Sequence, residues 1–118
     1  MDDLDQAFTN HFVVNNTYSN QEIREFLYHN RQLGAVVYDN PTAYTYNRIN
    51  KGMTSGWRPY FEYVMRNTYR YLGPNYNYTG PVVHHRRNPI ETNVVAHWNN
   101  GHIQFIHVSN FDEWINLP

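Results

Sequence analysis

Apolar residues recur at helical spacing in two places near the N-terminus. Leu4, Ala7 and Phe8 share one face behind the acids Asp2, Asp3 and Asp5. Acids at a helix start complement its positive end, so residues 2–8 are expected to form a short first helix. Ile23, Phe26 and Leu27 stand at i, i+3 and i+4 behind Ser19-Asn20-Gln21-Glu22. That tetrad is a capping box, and the stripe after it predicts a helix to about Asn30. Between the two, Phe12-Val13-Val14 reads as an extended run broken by Asn15-Asn16.

A third helix is expected over 41–51. Asp39 or Asn40 can cap it, Pro41 fits a first helical position, and Lys51 and Gly52 suit its end. Its pattern differs from the others, with only Ala43 and Ile49 plainly aliphatic. Tyr44, Thr45, Tyr46, Asn47, Arg48, Asn50 and Lys51 all carry hydrogen-bonding groups. Such a helix reads as a surface that presents donors and acceptors.

Beyond residue 58 the period changes to two. Residues 60–65 and 68–72 alternate around Arg66-Asn67, the pattern of a β-hairpin. Residues 73–81 read as a Gly/Pro-bounded loop and 82–87 as a further strand. Asn100-Gly101 is a strong two-residue turn signal. It pairs Asn99 with His102, Trp98 with Ile103, His97 with Gln104 and Ala96 with Phe105, and sets Val94, Ala96, Trp98, Ile103 and Phe105 on a core face. Ser109-Asn110-Phe111-Asp112 caps a last short helix. The fold class expected is α+β in one domain, 1–118. A winged-helix-like half (1–81) carries the 60–72 hairpin as its wing, and 82–118 adds a β-hairpin and helix on a shared core.

Composition narrows the function. The 118 residues contain no cysteine, which excludes disulfide and thiolate chemistry. No apolar run reaches the ~20 residues of a membrane span, so the expectation is a cytoplasmic protein without a membrane partner. The chain has 11 tyrosines, and Lys51 is its sole lysine. A net charge of −1 gives no general attraction for phosphate. The charge is nevertheless uneven, since Arg66, Arg70, Arg86 and Arg87 fall in a stretch without Asp or Glu.

Tyr46-Asn47-Arg48-Ile49-Asn50-Lys51-Gly52, Phe61-Glu62-Tyr63 and Tyr71-Leu72-Gly73-Pro74-Asn75-Tyr76-Asn77-Tyr78, with Ser19 to Ile23 before them, resemble a small uncharacterised domain of bacteria and their phages. The resemblance covers roughly residues 17–81. It implies a shared fold and a phage or mobile-element setting, with the host cytoplasm as the compartment, but no activity.

Two functions follow as expectations. The first is a non-catalytic DNA-binding module. Arg can form two hydrogen bonds to guanine and Asn two to adenine, so Tyr44, Tyr46, Asn47, Arg48, Asn50 and Lys51 would read duplex DNA from the 41–51 helix. Arg66 and Arg70 of the wing, with Arg86 and Arg87, would meet phosphate. The structural alternative has Asn47 bonded to backbone and Arg48 paired to a carboxylate such as Glu62. The second function is a phage-encoded inhibitor that binds a host defence nuclease. Tyr44, Tyr46, Tyr76 and Tyr78, with Trp57, would supply its contact surface. A His-Asn-His nuclease built from His85, Asn99 and His107 is a third reading, opposed by the turn between the last two. A zinc site from His97, His102 and His84 or His85 has no regular ligand spacing. No carboxylate dyad or phosphate loop is visible, so no enzyme activity or cofactor is expected. An oligomer is possible.

Overall fold

A computed structural model describes residues 2–33, 40–49, 58–84 and 91–107. Helix α1 (Asp3–His11) starts where Asp2 accepts from the Asp5 amide at 2.9 Å, and it buries Leu4 and Phe8. That hydrogen bond first, and Arg58 beside it, hold the Asp2 carboxyl below its ordinary pKa. Strand β1 (Thr17–Tyr18) follows a turn at Asn15, whose φ is 72°. Helix α2 (Asn20–His29) carries the full capping box, Ser19 Oγ accepting from Glu22 N and Glu22 Oε1 from Ser19 N, both at 3.1 Å. Its buried stripe is Ile23, Phe26 and Leu27, as the spacing predicts. Among the described residues no helix is long and apolar enough to cross a membrane.

The third helix does not form, and with it the winged-helix arrangement fails. Pro41–Tyr44 make a single 3-10 turn capped by Asn40, whose side chain accepts from Thr42 N at 3.1 Å. The chain then turns extended at Thr45, which bridges in parallel to Phe61, and ends in strand β2 (Arg48–Ile49). Three causes act together. No aliphatic stripe exists to bury a helix face here. Tyr44, Thr45, Tyr46 and Ile49 favour extended backbone. The Thr45 hydroxyl has the carbonyls of Thr42 (2.9 Å) and Arg48 (3.0 Å) as acceptors for its one proton, a local bond that competes with helical ones.

The 60–72 hairpin does form, as β3 (Phe61–Met65) and β4 (Thr68–Tyr71), with Asn67 at φ 60° in its turn. It belongs to a three-stranded antiparallel sheet in the order β1-β4-β3, not to a wing. A second sheet runs β2-β5-β6-β7, with β5 (Thr79–His84), β6 (Glu91–Asn99) and β7 (His102–His107). Its β2–β5 pairing is parallel and the rest antiparallel. Strand β5 begins inside the expected loop. Pro81 is tolerated there because β2 pairs only with Val83 and His84, and the β6 register shifts at Pro81/Val82. The Asn100-Gly101 turn, with φ of 52° and 80°, gives the pairing read from the sequence. The core-face assignment is corrected in two places. Phe105, on the outermost strand of the described sheet, is exposed, while Val95 on the opposite face of β6 is buried. The expected C-terminal helix and the Val94 side chain lie outside the described residues.

Two buried clusters result. Helices α1 and α2 cover the first sheet, with Phe8 stacked 3.8 Å from Tyr60 and edge-on to Phe26 at 4.6 Å. Tyr46, Tyr78, Val82, Ala96 and Trp98 form the second. The Tyr78 ring lies back across Gly80, so a Cβ on Gly80 would stand 2.8 Å from Tyr78 Cζ.

Two stability effects follow. Asn47 is buried, donates Nδ2 to the Tyr63 carbonyl (2.9 Å) and accepts from the Tyr63 amide (2.8 Å). Asn47→Ala is expected to cost about 2–3 kcal/mol in urea denaturation, and a loss under ~1 kcal/mol would contradict this clamp. Gly80→Ala must displace a buried ring, at a cost of about 1–3 kcal/mol. An unchanged melting temperature would show that Tyr78 moves freely aside.

Candidate functional site

The segment that leaves the 3-10 turn does three different things in three residues. Tyr46 faces the second cluster, where its ring meets Trp98 edge-on at 5.5 Å. Asn47 clamps the backbone of Tyr63. Arg48 lies with its guanidinium carbon 4.0 Å over the Tyr63 ring, and its Nη1 reaches the Tyr69 hydroxyl at 3.4 Å. Desolvation raises the pKa of the buried Tyr69 phenol, opposed by Arg48. Tyr69 therefore stays protonated at neutral pH.

This Arg48–Tyr63–Tyr69 platform is part of the wall of a cleft of about 790 Å³, lined also by Asn20, Arg24, Asn40, Pro41, Thr42, Arg66 and Asn67. The walls come from the α2 N-terminus, the 3-10 turn, β2 and the β3–β4 hairpin. The hairpin tip is tied to the helix, for Asn67 Oδ1 accepts from the Asn20 amide at 2.9 Å. That bond fixes the hairpin turn beside α2, and Arg66 and Arg24 both line the cleft. Among the described lining residues there is no carboxylate.

The other described arginines are differently engaged. Arg58 pairs with Asp2 (2.7 Å) and Asp5 (3.0 Å), Arg70 pairs with Glu62 (2.8 Å), and Arg31 donates to the Tyr28 carbonyl (2.7 Å). Arg24 and Arg66 are exposed and have no ion pair among the described residues. The cleft thus gathers, beside Arg48, two arginines that have no ion pair among the described residues. In a concave site these attract anions more strongly than on a flat surface.

Of the residues expected at a site, Arg48 and Arg66 come together here. Tyr44, Tyr46 and Asn47 are buried and cannot read a groove. Tyr78 is also buried, while Tyr76 is exposed. Arg70 is held by Glu62, the carboxylate expected for Arg48, because it faces Glu62 across β3–β4. Asn50, Lys51, Trp57, Arg86 and Arg87 lie outside the described residues, as does His85. Among the described residues no three His, Asp or Glu side chains come together as a metal site, and His97 Nδ1 instead meets Thr79 Oγ1 at 2.7 Å. Sequence reasoning missed Arg24, Tyr63 and Tyr69. Arg24 falls inside the helix expected to about Asn30, and Tyr63 and Tyr69 inside the expected 60–72 hairpin, with no local signal that joins them.

The comparisons with known proteins bear on family and not on activity. Uncharacterized protein YnaC of Bacillus subtilis (strain 168) is 40% identical over 58 residues, which covers 49% of this chain and 22% of the relative. The chain thus matches less than a quarter of that protein's length. No solved structure is significantly similar. A domain family described as a domain of unknown function, DUF7225, matches residues 1–105, well beyond the 17–81 expected from the motifs. On that coverage, the chain belongs to the DUF7225 family.

Proposed function

We propose that this protein is a non-catalytic nucleic-acid-binding module that works in the cytoplasm and takes phosphate groups at the arginine-lined cleft. One observation carries the reading. Arg24 and Arg66, both exposed and without an ion pair among the described residues, line one cleft that also holds Arg48 and, among its described residues, no carboxylate. Guanidinium groups suit phosphate because their planar donors match two phosphate oxygens at once. With a net charge of −1, binding rests on a few local contacts and not on overall charge. A helix docked in the major groove is not part of this reading, since residues 45–49 are not helical. The cleft also has no acid–base pair among its described residues, which fits binding better than turnover.

Anisotropy titration of a labelled random-sequence oligonucleotide at 50 and 200 mM salt tests the reading. The wild type is expected to bind at low salt and weaken as salt rises. Arg24→Ala/Arg66→Ala removes two phosphate contacts, which should cut affinity at least about ten-fold and lower the salt slope by about 1.5. Absence of low-salt binding by the wild type, or unaltered affinity in the double variant, would overturn the assignment.

A further inference from the structure

We infer that a strand bound in the cleft runs on along the flank of α2, where Arg31 takes a further phosphate. This rests on the nucleic-acid reading above and adds a requirement, a strand long enough to leave the cleft. Asn20 and Arg24 are the α2 residues that line the cleft. Tyr28 and Arg31 stand four and seven positions after Arg24, a spacing that continues the same flank of the helix beyond it. Arg31 opens the 3-10 turn that follows α2, and its guanidinium carbon lies 4.2 Å from the centre of the Tyr28 ring. Arg24, Tyr28 and Arg31 are all exposed. The flank is thus a cationic continuation of the cleft wall.

Arg31 is held in place without being neutralised. Its Nη1 donates to the Tyr28 carbonyl at 2.7 Å, and neither that carbonyl nor the ring is an anion. Among the described residues it has no ion pair with a carboxylate. A guanidinium carries several N–H donors, so one such bond leaves others for a ligand. Holding the group beforehand also reduces the side-chain ordering that binding requires. The acids of α2 fall on other sides of the helix, where Glu22 is tied into the capping box and Glu25 accepts from Gln21 Nε2 at 2.9 Å. By helical rise, Arg24 and Arg31 are on the order of 10 Å apart along the axis. One phosphate group does not bridge that distance, so the two arginines together call for successive phosphates of one strand. Charge complementarity and continuity with the cleft therefore point to an extended nucleic-acid strand as the occupant.

The test compares a single-stranded trinucleotide with a dodecanucleotide, both labelled and of random sequence, by anisotropy over a range of salt. The salt slope is the readout, because a longer strand gains affinity merely from its many registers. Each added phosphate contact steepens the slope by about 0.7 for a single strand, so the dodecanucleotide should exceed the trinucleotide by at least that amount. Arg31→Ala should remove that excess and weaken dodecanucleotide binding roughly three-fold, as for the loss of an exposed ion pair. Trinucleotide binding should stay at the wild-type level, which also shows that the variant is folded. Arg31→Gln keeps a donor for the Tyr28 carbonyl and should lose the same excess, which covers the case in which Arg31→Ala does not fold. Equal slopes for the two lengths in the wild type would overturn the track and leave the cleft reading in place. An excess slope that survives both substitutions would overturn it as well. If neither strand binds the wild type at low salt, both readings fall.

Discussion

The two sheets meet at Tyr46, and much of the structure depends on how that residue is satisfied. Its amide donates to the Phe61 carbonyl at 2.8 Å, which ties it to the first sheet. Its carbonyl accepts from the Trp98 indole at 2.8 Å, which ties it to the second. Its hydroxyl donates to the Gly73 carbonyl and accepts from the Tyr76 amide at 2.9 Å, fixing the crossing between the sheets. Burial raises the phenol pKa well above its ordinary value, so Tyr46 remains a neutral donor at any working pH. Each bond contributes about 0.5–1.5 kcal/mol when made, and leaving a buried partner unmet costs about 1–3 kcal/mol. A ring with no hydroxyl could fill the space and keep the two backbone bonds, but would leave Gly73 and Tyr76 untied.

The same logic explains a core so rich in tyrosine. Tyr44, Tyr60, Tyr69 and Tyr71 are buried beside Phe8, Phe12, Phe26 and Phe61, and Tyr46 and Tyr78 are buried in the second cluster. Aromatic rings bury large areas, and edge-on or offset contacts fix their mutual orientation. The hydroxyls then demand partners at particular places. Tyr60 donates to Asp5, which Arg58 also holds, so the N-terminal helix is tied to the chain that enters β3. Burial and the Asp5 bond both raise the Tyr60 pKa. The result is a core that specifies position through polar tips while gaining most of its stability from ring area.

The proposed site lies at the strand end next to this joint. Tyr46, Asn47 and Arg48 alternate between core, backbone clamp and cleft, so the site inherits the rigidity of the sheet junction. The cleft also needs the β3–β4 hairpin, whose turn places Arg66, and α2, which places Arg24. A cationic site thus sits on a chain with a net charge of −1 because the remaining described arginines are paired or folded back onto their own backbone.

Local chemistry is what a sequence displays directly. The capping box at Ser19, the stripe Ile23-Phe26-Leu27, the acids before Leu4 and the Asn100-Gly101 turn each concern residues within a few positions of one another. All appear in the structure as the spacing implies. The 41–51 segment misled because Asn40-Pro41 is a true helix start, honoured for one turn, and nothing local reveals that Phe61 and Trp98 will claim the backbone of Tyr46. Non-local pairing decides that conflict against the helix. The arginine cleft is a tertiary product for the same reason. Arg24, Arg48 and Arg66 are far apart in sequence, and only the docking of hairpin on helix brings their charges to one opening.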